Sequence, residues 1–155
     1  MNENVVSDAP AMQTIWLSPV GYVTGDPTLC ISYPYTLHPS TDVTCVSPGD
    51  LKWVYMGLPL PSNVEIEEVI VCYAVSSQQS FISQVRLTEM STPDKAVVYH
   101  DDPTDLKSPN PTCYRSKVTQ FTSTAAVTLM LRLNFQSVSD KIMLGAVGIT
   151  FYKSD

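Results

Sequence analysis

The densest group of chemically capable side chains is Tyr99-His100-Asp101-Asp102-Pro103-Thr104-Asp105, which brings three carboxylates and one imidazole into a single short stretch. Carboxylate oxygens suit calcium and an imidazole suits a transition metal, so His100, Asp101, Asp102 and Asp105 are the candidate ligands for a divalent cation, the one cofactor the sequence offers. The stretch lacks the glycine and the distal Glu of a helix–loop–helix calcium loop. A turn built from Asx hydrogen bonds around Pro103 accounts for the same composition without a metal.

A second group is a polar stripe. Gln84, Arg86 and Thr88 alternate along one expected strand, and Thr128, Arg132 and Asn134 along another. If those strands are neighbours, Gln84, Arg86, Arg132 and Asn134 present two guanidiniums able to hold a carboxylate or sugar hydroxyls by paired hydrogen bonds. The competing reading is a solvated face whose arginines pair with Glu65, Glu67 or Glu68. Tyr22, Tyr33, Tyr35 and Tyr114 lie beside prolines or turn residues, where a ring could stack on a sugar or pin down a loop.

The case for catalysis is thin. Of the two histidines, His38 and His100, neither has a GxSxG turn or a nucleophilic Cys beside it. Glu67 and Glu68 are adjacent, and neighbours on a strand point to opposite faces, so they cannot act on one substrate atom. There is no glycine-rich phosphate loop. An enzyme, if there is one, would be a small metal-assisted hydrolase or isomerase using His100, Asp101, Asp102 and Asp105.

The elements that must position these groups are strands. Val64 to Val75 and Phe81 to Met90 read as two long strands joined by the polar turn Ser76-Ser77-Gln78-Gln79-Ser80. On the second, Phe81, Ser83, Val85 and Leu87 are expected on one face and Gln84, Arg86 and Thr88 on the other. On the first, Ile66, Ile70, Cys72 and Ala74 oppose Val69, Val71, Tyr73 and Val75, so both faces ask for cover. Leu51, Trp53 and Tyr55 alternate with Lys52, Val54 and Met56 until Leu58-Pro59-Leu60-Pro61 halts the strand. From Ala125 to Phe135 the apolar residues recur at every second position, a strand period and not a helical one. Ile142 to Tyr152 is also apolar on both faces, and Gly145 and Gly148 within it predict a bulge or a close approach. Further strands are expected near Thr14 to Leu17, Thr28 to Tyr33, Asp42 to Val46, Ala96 to His100 and Thr112 to Thr119.

About eight to ten short strands with turns between them, and no convincing helix, predict an all-β fold. The favoured architecture is a two-sheet antiparallel β-sandwich, jelly-roll-like, with an immunoglobulin-like sandwich as the alternative. Residues 1–12 are expected as a flexible arm. Residues 13–155 are expected as a single sandwich domain, with a Pro-rich wrapping segment over 13–50 and regular strands over 51–155.

With 9 Lys+Arg against 15 Asp+Glu and no basic cluster, nucleic acid and anionic membrane surfaces are excluded as partners. The start, Met1-Asn2-Glu3-Asn4, has neither the charge nor the apolar run of a secretory signal, and no segment is long enough to span a bilayer. The expected location is the cytoplasm or an assembled particle. The four cysteines, Cys30, Cys45, Cys72 and Cys113, show no CxxC spacing and are expected as thiols, Cys72 as a small buried hydrophobe, with Cys30–Cys45 the pair to consider if oxidation occurs. The apolar outer faces of the two long strands point to homo-oligomerisation. The function expected is a non-enzymatic binding or assembly module that recognises a carbohydrate or small polar ligand.

Overall fold

The computed structural model describes residues 11–33 and 40–153. Residues 1–10 of the expected arm, together with Tyr35 and His38, lie outside the described residues. Among the described residues ten strands follow in order: β1 (Gln13–Leu17), β2 (Leu29–Ser32), β3 (Thr41–Cys45), β4 (Gly49–Leu58), β5 (Val64–Val75), β6 (Phe81–Met90), β7 (Ala96–Asp102), β8 (Thr112–Thr122), β9 (Ala126–Phe135) and β10 (Ile142–Lys153). A short 3-10 turn at Pro19–Gly21 is the sole helical element among the described residues.

The strands form two antiparallel sheets. One is six-stranded, in the order β2-β3-β10-β5-β8 with β1 added against β10, and the other is four-stranded, in the order β4-β9-β6-β7. Within this order β3 pairs β10, β4 pairs β9, β5 pairs β8 and β6 pairs β7. The first four of these strands thus meet the last four in reverse, as one long hairpin rolled into two layers, and the fold is a jelly-roll-like β-sandwich. β5 and β6, consecutive in sequence, lie in opposite sheets, so the turn at 76–80 crosses between layers and does not close a hairpin. Ser80 fastens that crossing: its buried hydroxyl donates to Asp140 Oδ2 and accepts from the Gln136 N–H at 2.9 Å.

The core lies between the sheets. Val54, Met56, Leu129, Leu131, Leu133, Val85 and Leu87 come from the four-stranded sheet and Val69, Val71, Leu144, Val147 and Ile149 from the other, all essentially inaccessible. Each such side chain gains about 1.5–3 kcal/mol by leaving water, which holds the layers together. Three β-bulges set these faces, two of them against expectation and the third where Gly145 predicted one. One between Ile82 and Gln84 turns Ile82 into the core beside Val85, so Phe81 and Ser83 do not share a face with Val85. One between Ile66 and Glu68 puts Ile66 in the core on the same side as Val69. The third, at Gly145 and Ala146, lets Leu144 and Val147 both point inward.

The cysteines depart from expectation. Cys72 on β5 and Cys113 on β8 are opposite each other in register and are joined as a disulfide. Cys30 is exposed and Cys45 buried, and both are free. They cannot pair with each other: Cys45 is in register with Leu29 and Cys30 with Thr44, so the two thiols leave opposite faces of the sheet. No helix among the described residues is long and apolar enough to cross a membrane.

Candidate functional site

The outer face of the four-stranded sheet is built from rows of side chains set by register. Trp53, Arg132 and Gln84 form one row across β4, β9 and β6. Tyr55, Met130, Arg86 and Asp101 form the next, reaching β7, and Thr128, Thr88 and Val98 the one after. These residues are outward because their strand neighbours Val54, Met56, Leu129, Leu131, Val85 and Leu87 fill the core. Between Tyr55, Arg86, Met130, Thr88, Thr128 and Val98 the face is hollowed into a depression of about 290 Å³.

Two ion pairs organise it. Arg86 donates from Nε to Asp101 Oδ1 at 3.3 Å and from Nη2 to Asp101 Oδ2 at 3.2 Å, and the Gln84 amide also donates to Asp101. The same guanidinium lies over the Trp53 ring, 4.9 Å from its centroid. Arg132 grips Asp50 through Nε, at 3.0 Å, and Nη2. The hydrogen bond from Arg132 holds the Asp50 carboxyl below its ordinary range. At the rim Lys107 sits over the Phe81 ring, 4.3 Å from its centroid, and 3.8 Å from Asp105.

The polar stripe is therefore assembled: Gln84, Arg86 and Arg132 lie together on this face, with Asn134 two residues along β9 in register with Phe81. The arginine partners are Asp101 and Asp50, and not Glu65, Glu67 or Glu68; it is Arg115 that bonds Glu68, at 2.9 Å. Trp53, Tyr55 and Asp50 are the members that the sequence reading did not assign. Their signal was present, since Val54, Met56 and Leu58 make an unbroken aliphatic face and leave the aromatics of β4 outward.

The acidic stretch is divided by the strand it forms. Asp101 faces outward to Arg86 and Gln84, Asp105 stands near Lys107, and His100 and Asp102 turn the other way, toward β8. Among the described residues no three His, Cys, Asp or Glu side chains form a group that could hold a metal ion. His100 Nε2 is 2.7 Å from the buried Ser116 Oγ, which donates to Asp102 Oδ2 at 2.6 Å, and the Tyr114 hydroxyl donates to the same oxygen at 2.7 Å. Burial pushes the Asp102 carboxyl up, but the bonds from Ser116, Thr104 and Tyr114 outweigh it and hold its pKa at about 2. The Ser116 hydroxyl donates its one hydrogen bond to the carboxylate, so the imidazole is the donor to Ser116 and not the base that would activate it. This chain joins edge strand β7 of one sheet to edge strand β8 of the other.

The tyrosines scatter. Tyr22 is fully buried in the core and its hydroxyl has no hydrogen-bond partner among the described residues, Tyr33 is exposed and donates to the Tyr22 carbonyl at 3.4 Å, and Tyr114 belongs to the seam just described.

The outer face of the six-stranded sheet is of a different kind. Trp16 of β1 lies over Gly148, where an added Cβ would stand 3.0 Å from the indole and from Ile70, so only glycine leaves room for the ring. Trp16 thereby covers Ile70, which is 1% exposed. Beyond it an apolar depression of about 590 Å³ opens beside Pro19, Ala74, Met143, Ala146 and the Cys72–Cys113 bond.

No family model matches this sequence, and no curated protein matches it either. Solved structures do share its fold. The CBM36-1 domain of a multidomain xylanase from the hindgut metagenome of Trinervitermes trinervoides superposes with a TM-score of 0.56 at 10% identity, over 88% of this chain and 96% of that one. A CBM36 carbohydrate-binding module in complex with calcium and xylotriose gives 0.54 at 11% identity, over 87% and 98%. CBM29_1, a family 29 carbohydrate-binding module from Piromyces equi, gives 0.54 at 11% identity, over 90% and 91%. At such identities the likeness is one of fold.

Proposed function

We propose that this protein is a non-enzymatic carbohydrate-binding module whose ligand lies on the outer face of the four-stranded sheet. The observation that carries the reading is the conjunction on one hollowed strand face of two aromatic rings, Trp53 and Tyr55, with the fixed donors and acceptors of Gln84, Arg86, Arg132, Asp50 and Asp101. A sugar needs both: an apolar ring surface for its C–H face and rigid polar groups for its hydroxyls. The arginines are already oriented by bidentate bonds, so little side-chain freedom is lost on binding. That modules of the same fold are carbohydrate-binding supports the reading by analogy. Residues 13–155 would act as one sandwich unit. The Cys72–Cys113 bond favours service in an oxidising compartment.

Calorimetric titration with a panel of oligosaccharides tests this. At least one should bind, Trp53→Ala should weaken it about tenfold or more, as expected for loss of a large ring contact, and Trp16→Ala should leave it unchanged. Equal affinity in Trp53→Ala would remove the site from this face.

A second reading, homo-oligomeric assembly, is favoured by the apolar depression near Met143 and Ala146. Light scattering should then report a multiple of the 17.1 kDa chain that Ala146→Arg reduces to one chain; a monomer at high concentration refutes it.

A further inference from the structure

Both guanidiniums on the candidate face already hold a carboxylate in a bidentate pair. Arg86 spends Nε and Nη2 on Asp101, and Arg132 spends the same two groups on Asp50. Each carboxylate is thereby matched by one cation, and Asp101 takes a further donor from Gln84. The third cation at this rim, Lys107, is matched by Asp105. The face is dense in charge but locally balanced.

From this balance we infer that the ligand is a neutral glycan, and that uronic-acid and sulfated chains are rejected; the inference rests on the carbohydrate reading above. A uronate carboxylate would have to pair with the remaining Nη edge of Arg86 or Arg132, whose charge Asp101 or Asp50 already balances, or displace that aspartate. Either way the aspartate and the incoming carboxylate stand as two like charges sharing one cation. A neutral sugar meets no such conflict. The outward N–H groups of each guanidinium donate to one hydroxyl while the paired carboxylate accepts from the next, so each Arg–Asp pair offers the alternating donor and acceptor that vicinal hydroxyls require. Specificity for uncharged chains is thus held by Asp50 and Asp101 as much as by the arginines they pair.

The test is calorimetry with xylohexaose, cellohexaose and mannohexaose as neutral probes and hexagalacturonate as the acidic one, each at low and high salt. A neutral hexaose should bind with an affinity that salt changes by less than about twofold, because no net charge is neutralised, and hexagalacturonate should bind about tenfold more weakly or worse. Asp50→Asn with Asp101→Asn frees both guanidiniums at nearly constant shape. It should gain about tenfold or more for hexagalacturonate, in a salt-sensitive manner; Asp101→Asn alone, which leaves the Arg132 pair intact, should gain part of this. Hexagalacturonate binding the unaltered protein as tightly as the neutral probes overturns the inference alone, as does a well-folded double variant that gains nothing. Absence of binding by every probe, neutral and acidic, overturns the inference together with the carbohydrate reading beneath it.

Discussion

Replacing Asp102 with Asn should remove a measurable part of the acid sensitivity of folding. The Asp102 carboxylate accepts from Ser116 and Tyr114 of β8 and from the Thr104 N–H at 3.0 Å, and its pKa is held at about 2 against an ordinary 3.8. A depression of about two units corresponds to about 2.5 kcal/mol of linked stability, which screening at this partly exposed site reduces to about 1–2 kcal/mol. Because the folded value is the lower one, this stability is present in full above about pH 4 and is lost as the pH falls toward about 2. Asn keeps one acceptor oxygen and nothing to protonate, so Asp102→Asn should be less stable at pH 7 by about 1–2 kcal/mol, and the gap should close below about pH 3. Urea unfolding of both proteins at a series of pH values measures the gap directly. Asp26, Asp50 and Asp94 also titrate low, but they do so in both proteins and cancel in the difference. A gap that stays constant from pH 7 to pH 2 would refute the claim that this carboxylate ties β7 to β8 as an anion.

Cys72 and Cys113 close a loop over a sequence separation of 41, so reduction should cost up to about 4 kcal/mol by the chain-entropy argument, read as a lower urea midpoint. Alkylation should label Cys30 in the native protein, Cys45 only on unfolding, and the other two only after reduction; four reactive thiols without reductant would contradict the bond. Gly148→Ala would place a methyl 3.0 Å from the Trp16 ring, which must lift from the sheet at a cost of about 1 kcal/mol, visible as a red shift in indole emission. Leu131→Ala, at a fully buried position of the central strand β9, should cost about 2–5 kcal/mol with no change in the outer face, whereas an effect under 1 kcal/mol would mean the core is not packed as described.

Strand positions were the most legible feature of the sequence, because alternation over ten residues leaves few alternatives. The boundaries of β5 and β6 coincide with those expected, and Gly145 and Gly148 fall at a bulge and at a close approach. Which side of a strand faces the core was less legible wherever one extra residue entered. At Ser83 and at Glu67 a bulge reverses the alternation, and nothing local in either residue marks it. The disulfide was hidden for a different reason. Whether Cys72 meets Cys30, Cys45 or Cys113 depends on which strand lies beside β5, and that is decided by the rolling of the whole hairpin.

The same rolling explains why closeness in sequence misled about chemistry. Asp101 and Asp102 are neighbours along β7, yet a strand sends one to the outer face and the other to the seam with β8, where their partners are Arg86 in one case and Ser116 in the other. Groups far apart are gathered instead: Trp53, Arg86 and Arg132 stand on three different strands and meet because β9 lies between β4 and β6. In a β-sandwich a site is therefore to be sought as a row across strands, at residues of one parity whose opposite parity is aliphatic. By that rule Trp53 and Tyr55 opposite Val54 and Met56, Arg86 opposite Val85 and Leu87, and Arg132 opposite Leu131 and Leu133 name the outer face before any pairing is known. Pairing is still required to see that Asp50 and Asp101 neutralise it.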